Sequence, residues 1–409
     1  MKANVVIGAN YGDEGKGLVT DYLTAEQSGS VAIIRFNGGA QAGHTVQTPA
    51  GLRHVFRHFG SGTLAGASTY LSEFFIANPI LFNEEHATLL ELGISPQVTI
   101  HPDAIVTTPY DMYINQKFEN FLANRRHGSC GVGVNETVER NLFDQYQITV
   151  SDLCDEQRLV EKLIRIRSEW ADLRIDKLMQ SHLTDDDKCF LQSDAVLSAF
   201  LGDIRNFVNH CQMEDYDHVK SVDNIIFEGA QGLRLDQNAK DFPHVTRSNT
   251  GVQNVSIIAN KLGLSHLDIH YVSRCYLTRH GAGPLTNELG QCPYPNFKDE
   301  TNVPHAFQGK LRFAPLNINT LQAEINNDLA KLSNQLSRQV KLVITCLDHI
   351  NDKILVSTAD NSSKEKYKDD FTTFIQANTS FDGYILSDGP TRKHLKSLST
   401  DTIRPSALV

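Results

Sequence analysis

Residues 4–18 read NVVIGANYGDEGKGL: a short β-branched apolar run, then a glycine-rich loop. Val5, Val6 and Ile7 in succession suit a strand buried on both faces, the kind found in parallel sheets. A glycine-rich loop that leaves such a strand and enters a helix turns its backbone N–H groups and its lysine, here Lys16, toward an anion. The usual phosphate loop has a Gly five residues before its Gly-Lys pair and a Ser or Thr after it. Here Gly8 stands seven residues before Gly15, Asn10 occupies the expected glycine position, and Gly17 follows Lys16. Three glycines, two acids and one lysine within residues 12–17 are too specialised for a simple surface turn. With no hydroxyl to hold a metal, Asp13 is the candidate: it can ligate Mg2+, take a proton from a substrate, or do both.

Outward from this loop the same pattern recurs. Apolar runs at 31–36 (VAIIRF), 224–230 (NIIFEGA), 269–274 (IHYVSR), 341–348 (KLVITCLD) and 353–360 (KILVSTAD) alternate with helix-spaced stretches at 109–126, 157–180, 189–211 and 318–335. The expectation is an α/β fold, a single large domain over residues 1–409 with a mostly parallel central sheet flanked by helices and the phosphate-binding loop after the first strand. The polar stretch 359–370, ADNSSKEKYKDD, reads as a loop. A second dense turn, NGGAQAGHT at 37–45, follows the second run, and His44 on it is placed to donate to a phosphoryl or carbonyl oxygen. Two such turns after consecutive strands mark where open α/β sheets place ligands.

Composition narrows the function. A net charge of −10 and a pI near 5.9 leave no cationic excess for a nucleic-acid backbone. The seven cysteines are an odd number without CxxC pairs or metal-ligand spacing, which suits a reducing compartment. Those at 154, 189, 211 and 292 read as ordinary thiols. Neither a leader-like start nor an 18-residue apolar run occurs, so the expectation is a cytoplasmic protein without a membrane partner.

In order along the chain, GDEGKG (12–17), GGAQAGHT (38–45), FEGAQG (227–232), VTRSNTG (245–251), TRHGAGP (278–284), TCLD (345–348) and SDGPTR (387–392) resemble the adenylosuccinate synthetase family. The resemblance implies a ligase in which GTP phosphorylates the 6-oxygen of a purine nucleoside monophosphate, usually IMP, and L-aspartate then displaces that phosphate. It implies Asp13 as base and Mg2+ ligand, His44 as acid, and Gln231 as a further catalytic residue beside Lys16. Lys16 and the amides of Gly12, Glu14, Gly15 and Gly17 would hold GTP phosphates, Gly43 would offer a carbonyl to Mg2+, and Thr45 would support the loop. Asp348 would accept from guanine N1 and N2, since a carboxylate matches two donors that adenine does not present. Ser387, Gly389 and Pro390 would complete the base pocket. The purine nucleotide would contact Gln41, Ser129, Cys130, Gln231 and Thr246, with Arg140 reaching it across a homodimer. Lys310 and Arg312 would pair the carboxylates of aspartate.

The chain also departs from that pattern. Cys346 stands where the family usually has Lys, Gln41 where it has Asn, and Arg247 where it has a small residue. Residues 128–134, GSCGVGV, lack one hydroxyl and the Arg expected there. The aspartate loop is FQGKLRF (307–313) in place of TTG and a run of Arg, and lysine cannot form the bidentate fork of arginine. Two further readings follow: the same chemistry on dGMP, against which the retained Asp13 argues, and a nucleotide-binding protein that no longer ligates aspartate.

Overall fold

Lys2–Gly8 forms the first strand, β1, and its side chains enter two different cores. Val5 and Ile7 pack with Phe227, Ile269 and Tyr271, while Val6 packs with Leu18, Val19 and Val272 on the opposite face. Burial on both faces is what the unbroken apolar run requires. The structure, a computed structural model, describes residues 2–123, 126, 128–180, 183–298, 309–357 and 362–398.

Among the described residues, ten strands form the central sheet: β1, β2 (Val31–Arg35), β3 (Ser68–Leu71), β4 (Val98–Ile100), β5 (Gln212–Met213), β6 (Asn224–Gly232), β7 (His266–Arg274), β8 (Ser337–Thr345), β9 (Gly383–Ser387) and β10 (Leu395–Leu398). Their spatial order is β10-β9-β8-β7-β1-β6-β2-β3-β4-β5, and all neighbours run parallel except the edge pair of β9 and β10. This is the mostly parallel α/β sheet flanked by helices that the sequence suggested. Because the strands are parallel, the turns after β1, β2, β6, β7, β8 and β9 all leave from the same edge, and GDEGKG, GGAQAGHT, VTRSNTG, TCLD and SDGPTR lie on these turns or at the strand ends that lead into them.

A long insertion between β4 and β5 carries helices Pro109–Leu122, Val134–Asn141, Glu156–Arg165, Ala171–Met179, Asp185–Leu191 and Asp194–His210 around a separate core that includes Phe82, Trp170 and Phe207. Helix Pro109–Leu122 starts with proline at its first position behind a Thr108 cap, with Thr108 Oγ1 accepting from Asp111 N at 3.3 Å and Thr108 N donating to Asp111 Oδ2 at 2.8 Å.

Some expectations need correction. The run 353–360 does not join the main sheet: Lys353–Ser357 sits in a smaller sheet with Tyr276–Arg279, Arg312–Asn317 and Ser363–Tyr367, and residues 358–360 lie outside those described. The stretch 359–370 is no simple loop, since Ser363–Tyr367 pairs antiparallel to Lys353–Ser357 and residues 368–370 begin helix Lys368–Asn378. Helix spacing at 189–211 conceals a break, because Ser193 caps a new helix at Asp194 by accepting from Val196 N. Among the described residues no helix is long and apolar enough to cross a membrane.

Candidate functional site

The loop after β1 is held by its neighbours before any ligand is considered. Asn10 N donates to Glu14 Oε1 at 2.7 Å, Asn10 Nδ2 donates to Ser273 Oγ at the end of β7 at 3.0 Å, and Thr345 Oγ1 at the end of β8 donates to Glu14 O at 2.8 Å. The loop then turns into the helix Lys16–Ala25, α1, through Gly15 at φ 93°, a left-handed conformation that glycine adopts without steric cost. No side chain caps α1, so the first-turn N–H groups and the positive end of the dipole face the loop. Gly17 is needed for contact: a Cβ there would lie 2.9 Å from Thr45 O, so the absent side chain lets α1 pack on strand His44–Gln47.

Lys16 and Glu14 are both buried beside each other at this turn. Burial pushes the Glu14 carboxyl up to about 7, against the pull of Lys16 and the Asn10 amide. Burial likewise lowers Lys16, against the attraction of Glu14, Asp13 and Glu228. The Glu14 carboxylate therefore shapes the loop from inside, while its backbone remains on the anion side. Asp13 is different. Its side chain is 29% exposed, its backbone is left-handed at φ 52°, and its carbonyl accepts from Arg274 Nε. His280 Nε2 lies 3.3 Å from its Oδ2.

His44 leads the strand after the second turn and is buried, with Nδ1 2.7 Å from Glu228 Oε1 on β6. Burial lowers the ring to about 4, against the attraction of Glu228. Glu228 itself would be raised by burial, but His44, Arg35 at 4.0 Å and the Ser61 hydroxyl hold its carboxyl down at about 2. A carboxylate can only accept, so Nδ1 carries the shared proton and Nε2 is the atom left for chemistry. Nε2 is buried without a hydrogen-bond partner. Gln41 is in the same condition at both amide atoms, and buried polar atoms of this kind call for a ligand to satisfy them.

The remaining turns converge on the same edge. Gln231 follows Ala230 at the end of β6 in a left-handed conformation, φ 63°, beside Gly12, whose Cβ would lie 3.4 Å from Gln231 Cα. Gly38 N donates to Ser248 Oγ at 3.1 Å, tying the second turn to the loop that carries Thr246, whose own N–H donates to Leu235 O at 2.8 Å. Asp348 lies in the turn Leu347–His349 directly after β8, and Ser387 ends β9, which pairs with β8 at Ile344 and Leu386. The Ser387 hydroxyl donates to Gly389 O at 2.8 Å, closing the neighbouring turn. Ser129 Oγ accepts from Asn115 Nδ2 at 2.9 Å, and burial raises the Cys130 thiol to about 11.

Two expected substrate contacts are corrected. Arg140 is fully buried, with Nε 2.9 Å from Asp111 Oδ1, Nη1 donating to Tyr146 O at 2.6 Å and Nη2 to Val106 O at 2.7 Å. Its donors are spent inside its own chain and cannot cross to a partner. Arg312 spends its donors on Glu288 and on the carbonyls of Gly281 and Gly283, at 3.0 and 2.8 Å from Nη1, so it is no open receptor for a carboxylate. Lys310 is exposed, and Phe307 and Gln308 of the same loop lie outside the described residues. Arg247 pairs with Glu139. Sequence reasoning missed Glu228, Arg274 and His280. An acid inside the apolar run NIIFEGA was the available signal for Glu228; nothing local announced the partners of the other two.

A mostly parallel α/β sheet with uncapped, glycine-rich turns gathered at its carboxyl edge defines the class: a nucleotide-site fold of the phosphate-loop type. The family model for adenylosuccinate synthetase matches residues 5–372. Adenylosuccinate synthetase of Clostridium beijerinckii is 32% identical over 304 residues, covering 71% of this chain and 66% of that protein, and the Desulfotalea psychrophila enzyme is 33% identical over 298 residues, covering 71% and 65%. The chain thus spans slightly less than two thirds of the length of these curated relatives. The fold superimposes on fully ligated adenylosuccinate synthetase from Plasmodium falciparum at TM-score 0.71 and 18% identity, covering 97% of this chain and all of that one. Cyanophage S-2L succinoaminodeoxyadenylate synthetase, bound to dGMP and to dATP as an energy donor, aligns at TM-score 0.58 and 15% identity over 97% of this chain and 95% of its own. The chain belongs to the adenylosuccinate synthetase family.

Proposed function

We propose that this chain joins L-aspartate to the 6-position of a purine nucleoside monophosphate, IMP in the first instance, at the expense of GTP. The observation that carries the reading is the pairing of a solvent-reachable carboxylate, Asp13, with a buried imidazole, His44, whose free Nε2 lacks a partner, on adjoining turns beside an uncapped helix N-terminus. In the first step Asp13 takes the N1 proton of the purine, the electron pair moves to O6, O6 bonds to the γ-phosphorus, and GDP leaves. In the second the neutral aspartate amine bonds to C6, the C6–O6 bond breaks, O6 departs in inorganic phosphate, and the proton lost by the amine goes to that phosphate. A lactam oxygen is a poor leaving group and a phosphate a good one, which is why the chemistry needs two steps.

Lys16 and the amides of α1 hold the γ-phosphoryl group, the buried Lys16 supplying a preorganised positive charge. A phosphoryl oxygen brought against the buried His44 ring would supply the negative charge that draws a second proton onto it, so that Nε2–H would face the phosphate while Nδ1–H stays on Glu228, which sets the ring's orientation. Gln231 and Gln41 orient the purine nucleotide; Asp348, Ser387 and Gly389 take the guanine. Mg2+ fits this donor set: one reachable carboxylate, Asp13, with the Gly43 carbonyl and ligand phosphates is the kind of shell Mg2+ accepts. Bound there it would neutralise phosphate charge. We place the enzyme in the cytoplasm as a homodimer, with neither nucleic acid nor membrane as partner.

The test incubates the purified chain with Mg2+, GTP, L-aspartate and a panel of IMP, GMP, dGMP and XMP, with products read by mass spectrometry. A succinylated IMP formed together with GDP supports the reading. An adduct on dGMP alone moves the chain to the second substrate, and GDP without an adduct shows that aspartate is not its amine.

A further inference from the structure

We propose that His280 is a positioning residue for Asp13, donating from Nε2 to one carboxylate oxygen so that the other is presented to the purine N1; this rests on the reaction proposed above. The contact is 3.3 Å between Nε2 and Oδ2, with the two side chains 17% and 29% exposed. Asp13 needs such a partner. Arg274 fixes its carbonyl and the left-handed backbone fixes its Cα, but neither restrains rotation of the side chain.

The loop that carries His280 is braced on both sides. Before it, Arg279 is fully buried, donates to Pro284 O at 2.7 Å and His244 O at 2.8 Å, and lies over the Tyr11 ring at 4.5 Å, within the same loop as Asp13. After it, Arg312 holds the carbonyls of Gly281 and Gly283 while Glu288 holds Arg312 from the other side. Gly128 closes over Gly281 so tightly that a Cβ there would lie 2.6 Å from the Gly281 Cα. A loop pinned in this way keeps His280 at a fixed distance from Asp13, and a fixed base is what an oriented proton transfer requires. It also gives Arg312 a role in place of the carboxylate receptor it cannot be.

His280→Leu removes the donor at similar volume, and His280→Gln keeps an N–H donor. The Leu variant is expected to lower kcat between about ten- and a hundredfold, with KM for IMP and GTP within about twofold, and the Gln variant to recover most of that loss. Equal loss in both variants, unchanged kcat in the Leu variant, or a loss confined to KM would overturn the proposal; thermal midpoints establish that each variant is folded. A second readout needs no turnover: in the chain labelled with 15N-histidine, the His280 Nε2 resonance, assigned by its disappearance in His280→Gln, should move in Asp13→Ala. An unmoved resonance refutes the contact. Absence of adduct from the unmodified chain overturns the reaction and the role in it together, whereas adduct formation with a fully active Leu variant overturns the role alone.

Discussion

In the proposed reaction Asp13 and His44 would divide the proton work because their surroundings differ. Asp13 stands at the surface of the loop, where its carboxylate is reachable; His44 is buried against the Glu228 carboxylate, which fixes which nitrogen is left for chemistry. Removing either group should abolish turnover without unfolding the chain, and near-normal rates in a folded Asp13→Ala or His44→Ala variant would defeat the assigned roles. Glu228→Gln tests the orientation directly. With an amide facing Nδ1 the ring is free to adopt the other tautomer, and kcat should fall about a hundredfold or more while KM for GTP changes little. Asp348→Asn places a donor against the guanine donors, so the preference for GTP over ATP should shrink, read as the ratio of kcat/KM for the two. Unchanged selectivity would put the base pocket elsewhere.

At the scale of elements, the buried charges act on stability. His270 lies inside β7, and burial holds it at about 4, below its ordinary value of 6.5. Between those values the unfolded chain binds a proton that the folded chain does not, so stability falls as pH drops through that window. The loss approaches about 2.5 kcal/mol near pH 4.5. Denaturant midpoints of the unmodified chain and of His270→Leu, compared at pH 7 and 4.5, should diverge by that amount, with the variant less acid-sensitive. Arg140 belongs to helix Val134–Asn141 and joins it to the cap of helix Pro109–Leu122 through Asp111. Arg140→Met leaves Asp111 buried without its cation and should cost about 3–5 kcal/mol of stability, with purine-nucleotide affinity largely kept in the folded fraction. The elements explain what was legible. β1, β2, β6, β7 and β8 announced themselves because a strand buried on both faces has no polar alternation. Val98–Ile100 and Gln212–Met213 are too short to show a period, and the strand Lys353–Ser357 has the same composition as a main-sheet strand although it pairs elsewhere. The motif turns were legible by their residue types. What Arg140 and Arg312 do was not, because a sequence shows a charge but not its partner: Asp111 stands 29 residues before Arg140, and Glu288 stands 24 before Arg312.

The whole molecule turns a parallel sheet into one reaction edge. Strand direction brings the β1, β2, β6, β8 and β9 turns to one edge, and in the proposed reaction the first three would surround the purine and the last two the guanine, with Asp13, Lys16 and His44 between them. The helical insertion between β4 and β5 meets the turn that carries His280 where Gly128 packs on Gly281. The claim that unites these parts is that the purine oxygen leaves as phosphate. The most direct measurement supplies IMP labelled with 18O at position 6, together with GTP, Mg2+ and aspartate, and follows the label by mass spectrometry. The account predicts that the 18O appears in inorganic phosphate, one label for each succinylated nucleotide formed. Label retained in the nucleotide product or released into water would contradict it.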